Sequence, residues 1–214
     1  TTQIVETPAG VLVRRVPRAM ALASDIEPGE AAEEAVHDAA AIWGLPDFVY
    51  RGRVVGVGSG VREVGDNLLV VGDVGVIVQV KRRTASGDAE RERGWIEKNA
   101  QTALSQARGS IRRLNLGPLE LTNARGRTIA VDGSKLRWLS AIIIDHPSPP
   151  PDLPIVSYDA AAPAVVMLRR DWDFLFDQLR STHAVVQYLE RVVADPVELG
   201  DEPARYYRLA PADQ

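Results

Sequence analysis

The sequence contains no cysteine and only three histidines, and each scarcity removes a class of function. Without cysteine there is no disulfide, no thiol nucleophile and no cysteine-ligated zinc. His37, His146 and His183 lack the spacing of metal ligands, so we interpret each as a structural or surface side chain. No apolar run approaches the roughly 20 residues of a membrane-spanning helix, and no signal peptide is visible. These absences predict a cytoplasmic protein without a membrane partner.

The size and charge of the chain are ordinary for a globular protein. Of its 214 residues, 45% are hydrophobic and 25% are charged, and the formal net charge is −4. This length is sufficient to bury a core, and the slightly acidic balance argues against a passive nucleic-acid coat. A proline-rich stretch at residues 147–154 is the best internal boundary. We therefore expect an N-terminal strand or arm (1–27), a core (28–146) and a C-terminal helical extension (147–214).

The spacing of apolar residues predicts a mixture of helices and strands. Helices are expected where apolar residues recur every three to four positions, at residues 28–43, 93–114, 171–180 and 183–193. Strands are expected in the short apolar runs, at residues 11–16, 48–57, 68–71, 74–78, 129–131, 136–144, 155–157 and 164–168. The pattern predicts an α/β sandwich in which helices flank a mixed central sheet, with a small C-terminal αβ extension.

The most informative segment is DNLLVVGDVGVIVQVK, residues 66–81. Two apolar runs flank a Gly-Asp pair, which predicts the tight turn of a β-hairpin. Folding the chain at this turn brings Asp66 opposite Gln79 and Lys81. Because side chains two positions apart on a strand point the same way, Gln79 and Lys81 share a face. The sequence therefore predicts a carboxylate, an amide and an ammonium group together at one end of an apolar hairpin.

This grouping suits a hard cation. The Asp66 carboxylate, the Gln79 amide oxygen and the backbone carbonyl of Val80 are oxygen ligands of the kind that Mg²⁺ or Mn²⁺ prefers. Such an ion polarises a phosphodiester and lowers the pKa of a bound water. Lys81 is then available to orient or deprotonate that water, or to stabilise charge that develops on phosphate. These are the parts needed for metal-assisted hydrolysis of a nucleic-acid backbone.

Asp66 followed by Gln79-Val80-Lys81 on the next strand resembles the D…QxK variant of the PD-(D/E)XK nuclease signature. That variant is found in nuclease-related and Mrr-type restriction endonuclease domains. The resemblance covers residues 30–144. It implies a restriction-endonuclease-like fold and a metal-dependent phosphodiesterase, with a role in restriction, defence or repair.

The resemblance also implies a glutamate on the first helix and shows two departures. Glu33 is the candidate for the glutamate, with Glu34 as its substitute. The proline that usually precedes the aspartate is Gly65 here. The usual glutamate is Gln79, which keeps an oxygen ligand but loses a charge.

Basic and amide side chains follow the hairpin. We select four of them as candidate nucleic-acid contacts, namely Arg82, Arg83, Gln106 and Arg108. The same side chains are also typical of a solvated helix face, so both interpretations stay open.

Three functional hypotheses follow. The first is a divalent-metal-dependent nuclease that acts on nucleic acid, with DNA as the expected partner. The second is a catalytically inactive nuclease-like fold that binds nucleic acid or a protein. The third is an unrelated α/β binding domain in which the polar hairpin end is accidental. The first two allow a homodimer or a larger multidomain or defence complex.

Overall fold

The computed structural model describes residues 1–8, 10–43, 45–52, 55–57, 60–62, 64–85, 87–150 and 163–209. Its strands are β1 Thr2–Thr7, β2 Gly10–Arg15, β3 Val49–Arg51, β4 Val55–Val57, β5 Gly60–Arg62, β6 Asn67–Val71, β7 Val74–Arg82, β8 Pro118–Thr122, β9 Thr128–Asp132, β10 Arg137–Asp145 and β11 Ala164–Leu168. Its helices are α1 Pro28–Trp43, α2 Ala89–Leu114, α3 Arg169–Leu179, α4 Thr182–Val192 and α5 Glu202–Leu209, with short 3-10 helices at Pro46–Phe48 and Gly133–Lys135.

A mixed sheet of five strands forms the centre, in the order β11-β10-β7-β6-β3. The pairs β3–β6 and β6–β7 are antiparallel, whereas β7, β10 and β11 run parallel. The connection from β7 to β10 contains α2, as a parallel pair requires a long crossover. Three further pairs form separate two-stranded sheets, namely β1–β2, β4–β5 and β8–β9.

Alternating side chains of β7 pack into two cores, one on each face of the sheet. Val76 and Val78 belong to the core that also contains Val36 of α1 and Trp172 of α3. Ile77 belongs to the core beneath α2. Each such buried aliphatic side chain contributes roughly 1.5–3 kcal/mol. Helices therefore cover both faces of the sheet, which confirms the predicted α/β class.

Two boundaries differ from the expectation. Helix α2 begins four residues earlier, because Asp88 caps it by accepting a hydrogen bond from the Arg91 amide at 2.9 Å. The expected strand 48–57 is divided into β3 and β4, with Gly52 after β3. A Cβ on Gly52 would lie 1.6 Å from the Gly65 carbonyl oxygen, so only glycine allows this close backbone approach.

The sequence missed several elements, and one expectation falls outside the described residues. Strands β1, β5 and β8 and helix α5 were not predicted. The expected strand at 155–157 belongs to residues 151–162, which the structure does not describe. In the described part of the chain, no helix combines the length and apolar character needed to cross a membrane.

Residues 163–209 contribute to the central sheet and to one of its cores. Strand β11 pairs with β10 in the central sheet, and Phe176 of α3 and Leu189 of α4 are buried in the same core as α1. The N-terminal hairpin β1–β2 is also anchored, since Val5 is fully buried. The central sheet and this core therefore contain residues from both sides of the expected boundary at residue 147.

Candidate active site

The hairpin that carries the candidate site forms as predicted. Val71 pairs with Val74, so a two-residue turn joins β6 to β7. Gly72 occupies the first turn position with φ +59°, a conformation that glycine adopts without strain. The pairing of the two strands ends at Asn67 and Val78. Strand β7 continues to Arg82, so its last four residues extend beyond its partner.

Asp66 closes the end of this hairpin. Its backbone amide donates to the Val78 carbonyl at 3.1 Å, and its Oδ2 accepts a hydrogen bond from the Val80 amide at 2.6 Å. The Asp66 carboxylate thus accepts the Val80 hydrogen bond in place of a backbone carbonyl of the neighbouring strand. Because the N–H and C=O of one residue in a strand point to the same side, the Val80 carbonyl also faces this end of β6.

An open cavity of about 580 Å³ lies against this end of the hairpin. The four side chains expected to form the active site all lie on its wall, namely Glu33, Asp66, Gln79 and Lys81. Gln79 is 5% exposed, whereas Asp66 and Lys81 are half-buried. The wall therefore combines two carboxyl groups, an amide and an amine at the boundary between the core and solvent.

Gly65 explains one departure from the family pattern. Its φ is +80°, and a proline cannot adopt this angle because its ring fixes φ near −65°. A Cβ at this position would also lie 2.9 Å from Cγ2 of Ile77. The backbone that delivers Asp66 to the cavity thus requires glycine immediately before it.

Hydrogen bonds connect helix α1 to the start of β6 next to the site. His37 Nδ1 and Asn67 Oδ1 lie 2.8 Å apart in the core, and Asn67 Nδ2 donates to the Glu33 carbonyl at 3.4 Å. Since Asn67 follows Asp66, this contact sets the position of Glu33 relative to that carboxylate. Burial lowers the pKa of His37 from its usual value, which favours the neutral ring.

Glu33, not its neighbour Glu34, belongs to the cavity. Glu34 Oε1 lies 3.3 Å from both terminal nitrogens of Arg51 in an exposed ion pair. Successive helical residues are about 100° apart around the axis, so the two glutamates face different surroundings.

The candidate nucleic-acid contacts are divided between different places. Gln106 lines the cavity, whereas Arg108 does not. Arg82 points to the opposite face of β7 from Lys81, and its Nη1 lies 3.3 Å from Asp145. Arg83 is held by Glu92, as described next. The structure thus brings only one of the four to the cavity.

Arg83 belongs to a closed polar cluster. Its Nε and Nη2 donate to the two oxygens of Glu92 at 2.9 and 2.8 Å. Glu92 also accepts from the Gly87 amide at 2.6 Å, and its Oε2 lies 2.7 Å from His146 Nε2. The Arg83 hydrogen bonds are the main reason why the pKa of Glu92 falls to about 2. The Arg83 guanidinium also stacks over the Trp95 ring.

Sequence reasoning selected Gln106 of α2 and missed the rest of the wall that this helix provides. Its cavity-lining residues are Ser105, Gln106, Gly109, Ser110 and Arg113. The signal was the spacing: Ser105, Gly109 and Arg113 recur at four-residue intervals, which places them on one helix face. This face carries two small residues and ends in Arg113, whereas the other stripe of the same helix is apolar and buried.

The donors around the cavity fit a hard cation, though with few charges. Among the described residues, no group of three or more His, Cys, Asp or Glu side chains could hold a metal. Glu33 and Asp66 supply two carboxylates on the cavity wall. The Gln79 amide and the Val80 carbonyl add neutral oxygens, and an all-oxygen set suits Mg²⁺ or Mn²⁺.

Comparisons with known proteins add no relative. No protein-family model matches the chain, and searches of curated proteins and of solved structures find no match. The geometry of the cavity is therefore the basis from which we infer a function.

Proposed function

We propose that the protein is a divalent-metal-dependent nuclease that hydrolyses phosphodiester bonds of nucleic acid, with DNA as the expected substrate. One observation carries the proposal: Glu33, Asp66, Gln79 and Lys81 line a single open cavity. These residues come from a helix and from both strands of a hairpin. A purely structural hairpin end has no need for this combination of groups.

Mg²⁺ or Mn²⁺ is the cofactor that these donors suit. Asp66, Gln79 and the Val80 carbonyl would hold it, and Glu33 would complete its shell or bind a second ion. When bound, the ion supplies polarisation of the phosphate and a water of lowered pKa. The hydrogen bond from the Val80 amide to Asp66 Oδ2 fixes that carboxylate beside the same residue whose carbonyl would be a ligand.

Lys81 is the group that we assign to the reacting water and phosphate. It shares a face of β7 with Gln79, two residues away, and both line the cavity. An ammonium group there stabilises negative charge that develops on the phosphate oxygens, and its neutral form accepts a proton from water. Arg113 and the serines of α2 also line the cavity, and we assign them to the binding of substrate phosphates.

The order of elements supports a restriction-endonuclease-like fold. The resemblance expects the motif on a hairpin that follows a glutamate-bearing helix and precedes another long helix. Here α1 carries Glu33, β6 and β7 form the hairpin, and α2 follows. The elements around the motif therefore follow the order that the resemblance implies.

A second candidate is a nuclease-like fold that binds nucleic acid without cutting it. Gln79 favours this alternative, because with the neutral amide the described residues place only two anionic ligands on the cavity wall, Glu33 and Asp66. A site with fewer carboxylates holds a divalent cation more weakly. The assay below separates the two candidates.

Purified protein is incubated with plasmid and linear DNA in Mg²⁺, in Mn²⁺ and in chelator. We expect cleavage that requires metal and is abolished in Asp66→Ala. Asp38→Ala is the matched control, because Asp38 is exposed on α1 and does not line the cavity. Intact DNA in every metal, with binding retained in a gel-shift assay, would favour the non-cutting alternative. If the protein neither cleaves nor binds DNA, both candidate functions are contradicted.

A further inference from the structure

A second open cavity, of about 460 Å³, lies where the parallel strands β10 and β11 end. Ile144 and Leu168, near the ends of these strands, line it together with Arg18, Arg169 and Arg170. Ligands of open α/β sheets bind at the carboxyl ends of parallel strands. The place and the three arginines together indicate a site for an anion.

Arg169 is the buried member of this group. It is 6% exposed; its Nε donates to Asp145 Oδ1 at 2.9 Å and its Nη2 donates to the Met20 carbonyl at 2.9 Å. Its Nη1 is buried and makes no hydrogen bond to any described residue. Asp173 Oδ2 lies 3.5 Å from Nη1 and forms an ion pair with it. A buried guanidinium nitrogen without a hydrogen bond is a donor that a bound oxyanion would satisfy.

Arg82 adjoins the same positive region, on the face of β7 opposite Lys81. Asp145 bridges it to Arg169, since Asp145 Oδ2 lies 3.3 Å from Arg82 Nη1. The Nε and Nη1 atoms of Arg82 are also buried and lack a hydrogen bond to any described residue. The Asp145 carboxylate thus contacts two guanidinium groups, and each of them has a buried nitrogen without a hydrogen bond to a described residue.

The charges around the cavity favour an anion. Four arginines surround it or adjoin it, namely Arg18, Arg82, Arg169 and Arg170. Three carboxyl groups contact them, namely Asp145, Asp171 and Asp173. Burial raises the pKa of Asp171 to about 7, so that group is only partly ionised at neutral pH. The N-terminus of α3 adds its partial positive charge at Arg169.

The cavity lies on the same edge of the sheet as Lys81. Lys81 is in register with Ile144 of β10, which is in register with Leu168 of β11. Neighbouring strands are about 4.8 Å apart, so two strand spacings separate Lys81 from Leu168 by about 10 Å. This separation is short enough for one nucleic-acid strand to reach both places.

We propose that the cavity at the ends of β10 and β11 binds a phosphate group of the nucleic-acid strand whose scissile bond lies at Lys81. This inference rests on the proposed nuclease function and adds a second phosphate site to it. Arg18 and Arg169 are its principal donors. The exposed Arg18 and the buried Arg169 would bind the phosphate between them.

The test is binding of a fluorescein-labelled 16-mer, single-stranded and duplex, without added metal so that no cleavage occurs. We expect Arg18→Glu to weaken binding about tenfold and to lower the salt dependence by about one phosphate contact. Arg15→Glu is the control, since Arg15 is exposed on β2 and does not line the cavity. Equal effects of the two substitutions would contradict the proposal.

Inorganic phosphate distinguishes the two sources of the same anion. If phosphate alone raises the melting temperature of the wild type but not of Arg18→Glu, while both bind the 16-mer equally, the site serves free phosphate and the proposal is wrong. A wild type that binds no 16-mer also overturns it.

Cleavage of plasmid DNA by the wild type in Mg²⁺ or Mn²⁺ is measured separately. Cleavage without a selective binding defect in Arg18→Glu leaves the nuclease standing and removes the second phosphate site. A selective binding defect without cleavage leaves a phosphate site in this cavity but favours the non-cutting alternative over the nuclease.

Discussion

Lys81 and Arg83 are cations two positions apart at the end of β7, yet they belong to different environments. Lys81 lines the open cavity with Asp66 and Gln79. Arg83 donates two hydrogen bonds to Glu92, which is 2% exposed. The difference shows that the type of residue and its place in the sequence do not separate a cation that meets ligands from one that holds the fold.

The distribution of hydrogen-bond partners explains the difference. In the cluster around Arg83, protein groups satisfy Glu92 from several directions, including the Gly87 amide and His146. A carboxylate satisfied in this way stabilises the fold and offers little to a ligand. The wall around Lys81 instead borders a volume of about 580 Å³, which is large enough for a substrate group. We therefore expect substitutions in the two clusters to affect different measurements.

The largest effect is expected from Lys81→Ala. Removal of a group that acts on the reacting water or phosphate lowers rates by about 10²- to 10⁴-fold. The half-buried position of Lys81 predicts little change in the urea midpoint. Plasmid cleavage and urea unfolding are compared with Lys98→Ala, an exposed control on α2. A cleavage rate equal to that of the control would remove Lys81 from the chemistry.

The next effect is expected from a pair of neighbouring glutamates. Glu33→Gln should reduce cleavage or apparent metal affinity by about 10- to 100-fold, as changes around metal sites do. Glu34→Gln should leave both nearly unchanged, because Glu34 pairs with the exposed Arg51 outside the cavity. Cleavage rates are measured across a Mg²⁺ titration. Similar losses in both variants would mean that α1 acts through its overall charge.

Arg83→Ala should change stability and leave the cleavage rate per folded molecule unchanged. Its hydrogen bonds are the main cause of the lowered pKa of Glu92, about 2 against 4.5. A lowered carboxyl pKa adds stability that is complete above pH 4.5 and is lost as the pH falls toward 2. The variant should therefore be less stable at pH 7 and lose less on acidification. Urea unfolding at pH 7 and pH 3 checks both. A stable variant with impaired cleavage would make Arg83 a substrate contact.

Local patterns predicted the central hairpin and the sheet well, because the information lies within a few residues. The Gly-Asp turn fixed the register that sets Asp66 opposite Gln79, and the continuous apolar run marked β10 as an interior strand. The start of α2 was missed because its cap is one side chain, Asp88, in a polar stretch.

Features that depend on distant partners were not predictable from the chain alone. Glu92 lies just before the helix expected at residues 93–114, and its hydrogen bonds to Arg83 and His146 form only in the fold. Arg113 was not among the selected residues, and its place on the cavity wall depends on how α2 crosses the sheet. Likewise, no local pattern indicates that Arg169 meets Asp145.

The smallest effect concerns the contact that joins α1 to the hairpin. Because burial lowers the pKa of His37, the unfolded chain takes up a proton there first, and stability falls as the pH drops below the unfolded value of 6.5. A fall of one pH unit below 6.5 removes at most about 1.4 kcal/mol of folding stability through this group.

His37→Gln keeps a polar side chain beside Asn67 but does not titrate, so its free energy of unfolding should change less than that of the wild type between pH 7.5 and 5.5. If the two proteins show the same pH dependence, His37 does not link protonation to the position of Glu33. If the dependence disappears in the variant while Mg²⁺-dependent cleavage weakens, the His37–Asn67 contact is the element that aligns the helix with Asp66.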